Sequence, residues 1–130
     1  FDNRNQRFQP TSGKLFKITF DTGWDKNSTF INSEIQYISF IHIINNSYLK
    51  LKYLSRGISY FKELVPKSRY ILLGGSSTLR GFQEQEFSLT QYQVFTLEYL
   101  IQQKLPMQLK VFIDMGSKYF NPFEKNVEVL

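Results

Sequence analysis

The sequence predicts an all-β fold, an antiparallel meander of about six strands, and three observations predict it. Apolar and polar residues alternate with period two through most of the chain. Helical periodicity is nearly absent, and the alternating stretches follow one another through turns or loops rather than helices.

The first stretch, Lys14–Phe20, sets Phe16, Ile18 and Phe20 on one face against Lys17 and Thr19. Ser33–Ile44 puts Ile35, Tyr37, Ile41 and Ile43 together, and its other face mixes Glu34, Gln36 and His42 with Ile38 and Phe40. In Tyr48–Tyr53, Leu49, Leu51 and Tyr53 oppose Lys50 and Lys52. A short strand, Arg69–Leu73, runs into Gly74-Gly75. The next sets Phe95, Leu97, Tyr99 and Ile101 against Val94, Thr96, Glu98 and Gln102. The last, Met107–Gly116, is the clearest: its odd positions are all apolar, and its even positions are Gln108, Lys110, Phe112, Asp114 and Gly116.

The links differ in character. Asn45-Asn46 suits a two-residue hairpin turn that tolerates positive φ, and Gln103–Pro106 is a second short link. Thr22–Thr29 and Arg56–Ser68 are expected to be longer connections, the first carrying Trp24 as an interfacial anchor and the second a helical turn around Tyr60–Leu64. Gly74–Leu89 is too long and too specific for a hairpin turn, and loops of that length inside a compact domain are functional or disordered.

Composition excludes more than it selects. The 130 residues suit one domain spanning 1–130. With no cysteine there is neither a disulfide framework nor a thiolate metal site. The net charge of +5 is scattered singly rather than in runs, so a nucleic-acid partner is not expected. His42, the sole histidine, has no companion ligand, and Ser76-Ser77 lacks the Gly-Lys-Ser/Thr ending of a phosphate cradle. With no nucleophile, base and orienter set, no catalytic residue, metal or cofactor is expected. No stretch reaches the roughly 20 apolar residues of a membrane helix, but a barrel strand crosses with about 9–11 alternating ones. Thirteen Phe and eight Tyr would furnish interfacial girdles. Alternation alone leaves two architectures open: a soluble antiparallel sandwich binding a ligand or partner through its long loop, or part of a transmembrane barrel with its apolar face toward lipid.

In the barrel case, Glu98 and Asp114 point into the lumen, because a charge on the lipid face costs about 2–4 kcal/mol near the bilayer centre. Arg80, delivered by the long loop, would pair with them through its planar fork. Gly74, Gly75 and Gly81 would allow the tight backbone that folds the loop inward, with Phe82 packing beside it.

These residues carry a resemblance. Leu79-Arg80-Gly81-Phe82, preceded by Gly74-Gly75-Ser76-Ser77-Thr78, resembles the Arg-Gly-Phe/Tyr motif of the inward-tucked sixth loop of the Omp85 family. Phe95-Thr96-Leu97-Glu98-Tyr99 is similar to the strand whose glutamate faces that arginine. Val111-Phe112-Ile113-Asp114-Met115-Gly116 is similar to the following strand, with the Phe-x-Asp-x-Gly signature whose aspartate salt-bridges it. Asp2-Asn3-Arg4 through Pro10-Thr11-Ser12-Gly13 resembles the Asp-x-Arg…Pro-Thr-x-Gly link between mid-barrel strands. The four signatures occur in the family's order from Asp2 to about Phe120.

The resemblance implies the C-terminal part of a sixteen-stranded outer-membrane barrel in a Gram-negative type of cell, close to the assembly proteins and D15-type surface antigens. It would insert or export β-barrel or secreted proteins without a cofactor. Its partners would be outer-membrane lipid, those substrates and periplasmic accessory lipoproteins. Two departures stand out. About six strands are a partial barrel without POTRA domains, so the natural protein is expected to be longer. The loop is also short for the assembly proteins, with about seven residues between Phe82 and the next strand.

Overall fold

The computed structural model describes residues 1–4, 12–25, 28–44, 47–61, 65–102, 108–119 and 128–129. Its long strands are β1 (Gly13–Asp25), β2 (Ser28–His42) and β3 (Ser47–Tyr60), a 3-10 turn at Lys67–Arg69 and short β4 (Ile71–Leu73) and β5 (Phe87–Leu89) follow, and β6 (Gln91–Gln102), β7 (Gln108–Tyr119) and a two-residue β8 (Glu128–Val129) complete the order. One antiparallel sheet runs β1-β2-β3-β6-β7-β8, while β4 and β5 pair only with each other. The expected all-β meander is therefore the observed architecture, consistent with part of a barrel wall. The five long strands have 13, 15, 14, 12 and 12 residues, each enough to cross a bilayer at the usual tilt.

Register sorts the side chains. Phe16 faces Tyr37, Tyr37 faces Tyr53, Tyr53 faces Phe95 and Phe95 faces Met115, so these residues form a row on one side of the sheet. That side is apolar and uncovered: Phe20 is 65%, Val111 60% and Ile113 61% exposed. The opposite side is covered. There the β4–β5 ribbon and its loop pack Leu73, Leu79 and Leu89 against Leu54, Tyr92 and Val94 of the wall. A sandwich would put its second layer on the apolar face. Here the second layer sits on the face that carries the charges, which is how a plugged lumen is arranged.

Several expected boundaries move. Thr22–Thr29 is not a long connection: β1 continues to Asp25 and β2 begins at Ser28, so Trp24 lies in a strand rather than a link, 87% exposed. The glycine that suggests a turn, Gly23, is a strand residue paired with Phe30, whose ring occupies the space a Cβ at Gly23 would need. Aromatic cover of this kind compensates a strand for the packing that glycine lacks. Arg56–Ser68 is likewise not one loop, because β3 runs on through Gly57, which pairs with both Ser33 and Gln91, to Tyr60. The expected helical turn around Tyr60–Leu64 gives way at its start to strand; its later residues, like the Asn45-Asn46 turn, the Gln103–Pro106 link and Pro10-Thr11, lie outside the described residues. The turn that does form follows Pro66, with the Arg69 N–H donating to the Pro66 carbonyl at 2.9 Å. Finally, the strand expected at Arg69–Leu73 shortens to β4 and does not join the wall; its partner β5 lies inside the long loop segment.

Candidate functional site

The loop between β4 and β5 is held in shape by its own polar groups. Gly74 and Gly75 have φ of +125° and +96°. A Cβ on Gly75 would fall on the Glu84 carboxylate, and one on Gly74 on the Gln83 carbonyl. Both positions thus need glycine for conformation and for space. Glu84 accepts from the Ser76 backbone N–H at 2.9 Å, and the Thr78 hydroxyl donates to the Gly74 carbonyl at 2.9 Å. The turn this makes aims Leu79 down into the core, where it is 1% exposed, beside Gly116 of β7. Phe82 packs edge-on against Phe87, with ring centroids 5.1 Å apart.

Between those two anchors lies Arg80. Its Nε and Nη2 donate to the two oxygens of Asp114 at 2.7 and 2.8 Å, and its backbone N–H donates to the same carboxylate at 3.2 Å. Nη1 donates to Glu98 Oε1 at 2.5 Å. The guanidinium carbon lies 3.7 Å from the ring centroid of Phe112, a cation–π contact. Hydrogen bonds to Asp114 and then to Glu98 hold the Arg80 pKa above its ordinary value, against the opposing effect of partial burial. Gly81, with φ of +94°, turns the chain away immediately afterwards.

The carboxylates are almost completely buried, with side-chain exposures of 3% for Asp114 and 7% for Glu98. Such groups need full partnering. Thr96 of β6 is the cross-strand register partner of Asp114. Lys50 of β3 lies directly opposite Glu98, and its Nζ is 2.8 Å from Glu98 Oε2. The ion pairs therefore join two cations, Arg80 and Lys50, to two carboxylates. Lys52, one pleat further along, donates to the Ser77 carbonyl at 2.9 Å. The structure thus brings together Leu79, Arg80, Gly81, Phe82, Glu98 and Asp114, with Gly74 and Gly75 shaping the approach. Lys50, Lys52, Phe112 and Thr96 complete the site. Sequence parity already put Lys50 on a polar face, but only register shows it opposite Glu98.

At the other end of the chain, Asp2 and Arg4 clasp each other, Arg4 Nε and Nη2 donating to the Asp2 carboxylate at 2.8 and 2.7 Å. Gly13, at φ +100°, lets this segment lie against β1, with the Asn3 N–H donating to the Lys14 carbonyl at 3.0 Å.

The Omp85 superfamily domain matches residues 1–127, nearly the whole chain. The chain belongs to the Omp85 superfamily. No curated protein matches it significantly. Membership gives the coarse setting, that of outer-membrane β-barrel proteins concerned with protein assembly or translocation. In this Omp85 chain, the arginine loop and the two carboxylate strands meet on the charged face of the sheet.

Proposed function

We propose that the chain is the C-terminal barrel part of an Omp85 protein that inserts β-barrel proteins into a Gram-negative type of outer membrane or exports secreted ones. In this reading residues 1–130 are one partial barrel domain, and the protein works without catalytic residues, metal or cofactor. Outer-membrane lipid covers the apolar face, and periplasmic accessory lipoproteins are further partners. The observation that carries the reading is the Arg80 clasp: a loop arginine held by buried carboxylates of two adjacent wall strands, on the face opposite a bare apolar one. A loop fixed there narrows the lumen and holds the wall strands in register. Substrate strands would then be accepted by edge pairing elsewhere on the barrel. The uncovered apolar face and the placement of the ribbon count against a soluble sandwich.

The test offers vesicles carrying the complete Omp85 protein that contains residues 1–130 either an unfolded outer-membrane barrel or a secreted polypeptide. The reading expects one of the two to be inserted or translocated, with Arg80→Ala sharply slower at an equal amount of membrane-embedded protein. Vesicles that process neither substrate, or an Arg80→Ala variant as active as the parent, would refute it.

A further inference from the structure

The clasp is a charge-balanced set only if β3 is counted. Arg80 alone faces two carboxylates, both nearly buried, which would leave one negative charge in excess in a poorly solvated pocket. Lys50 removes the excess. It approaches Glu98 from β3, across β6 from the strand that carries Asp114, and takes Oε2, leaving Oε1 for Arg80. The two residues are direct cross-strand partners on the same face, so this pairing belongs to the wall and persists whatever the loop does. The two carboxylates therefore differ. Asp114 gives both oxygens to Arg80, whereas Glu98 is shared between wall and loop.

We propose that Lys50 is a positioning residue of the loop clasp: it orients and neutralises Glu98 for Arg80, and keeps Glu98 satisfied when Arg80 withdraws. Other charged groups facing Glu98 do not duplicate this role. Lys52 on β3 is directed to the Ser77 carbonyl, Asp114 on β7 is committed to Arg80, and Lys110, also on β7, is exposed two residues beyond Phe112. With Lys50 in place, loop release uncovers one buried carboxylate, Asp114, instead of two. Two settings of the loop, held and released, are thereby brought closer in energy than they would be without it.

The inference rests on the proposed clasp, but its readout is loop exposure and not substrate processing, so the two can fail separately. Trypsin cuts after arginine only when the side chain is free. Cleavage at Arg80-Gly81 is therefore followed by mass spectrometry in membrane vesicles holding the complete barrel protein that contains residues 1–130. Lys50→Met should be cut about fivefold more slowly than the parent, because release would then uncover two carboxylates, and Lys50→Arg should restore the parental rate. Lys50→Gln, a polar replacement at this half-buried position, serves as the second variant should Lys50→Met not insert. The decisive arm repeats the change in a Glu98→Gln background, where Lys50→Met should have no further effect because the charge it serves is gone. Cleavage of Lys50→Met as fast as the parent's or faster, failure of Lys50→Arg to restore the parental rate, or an equal Lys50→Met effect in both backgrounds would overturn the assignment.

Discussion

Two ion clusters sit on the same face of the same sheet, and they are built differently. In one, Lys17, Glu34 and Arg56 run across β1, β2 and β3, with Lys17 3.7 Å and Arg56 2.9 Å from the Glu34 carboxylate. All three belong to the wall, and Lys17 is more than half exposed. In the other, Arg80 comes from the loop, and its carboxylates are almost completely buried. The first cluster links neighbours that backbone pairing already holds side by side. The second joins the β4–β5 loop, which has no strand pairing to the wall, through wall side chains that grip the loop's side chains and backbone groups. Burial and bidentate geometry are thus found where strand pairing does not attach the segment, and solvated pairs where it does.

The largest effect that could break this contrast is at Asp114. Asp114→Asn removes the bidentate partner and leaves Arg80 facing a neutral amide, which should destabilise the lipid-embedded protein by up to about 3–5 kcal/mol, less if water enters the lumen. Urea unfolding in vesicles measures it. Glu98→Gln should cost clearly less, because Asp114 still holds both Nε and Nη2 of Arg80. Equal costs would remove the distinction between the two carboxylates.

Next comes the apolar anchor. Leu79→Ala empties a site that is 1% exposed and should cost about 2–5 kcal/mol by the same unfolding measurement. Gly75→Ala tests the loop's own shape: a side chain at φ +96° costs roughly 1–2 kcal/mol before its clash with Glu84 is added. The smallest effect is expected in the wall cluster, where Glu34→Gln should change stability by about 1 kcal/mol or less. A Glu34→Gln cost as large as that of Asp114→Asn would erase the comparison.

How much of this could be read from the sequence depended on whether the two faces of a strand differ chemically. In β6 and β7 they do, so parity alone placed Glu98 and Asp114 together on the charged face without any knowledge of pairing. In β1 and β2 the signal broke at Gly23, because a glycine in a strand looks like a turn until the ring of Phe30 is seen to cover it. β5, three residues long, is too short for a period to show, and its status as a strand comes from pairing with β4. Lys50 was visible only as a lysine opposite leucines; its role depends on register, which alternation does not specify.

Whether Arg80 holds the loop against the charged wall can be read by cross-linking. The chain contains no cysteine, so Ser77→Cys with Lys52→Cys gives a single thiol pair where the loop meets β3. A short bis-thiosulfonate reagent is applied to intact membranes, and the bridged fraction is read by mass spectrometry. Extensive bridging is expected, and it should collapse when Arg80→Ala is added. No bridging with Arg80 present, or bridging indifferent to Arg80→Ala, would contradict that hold.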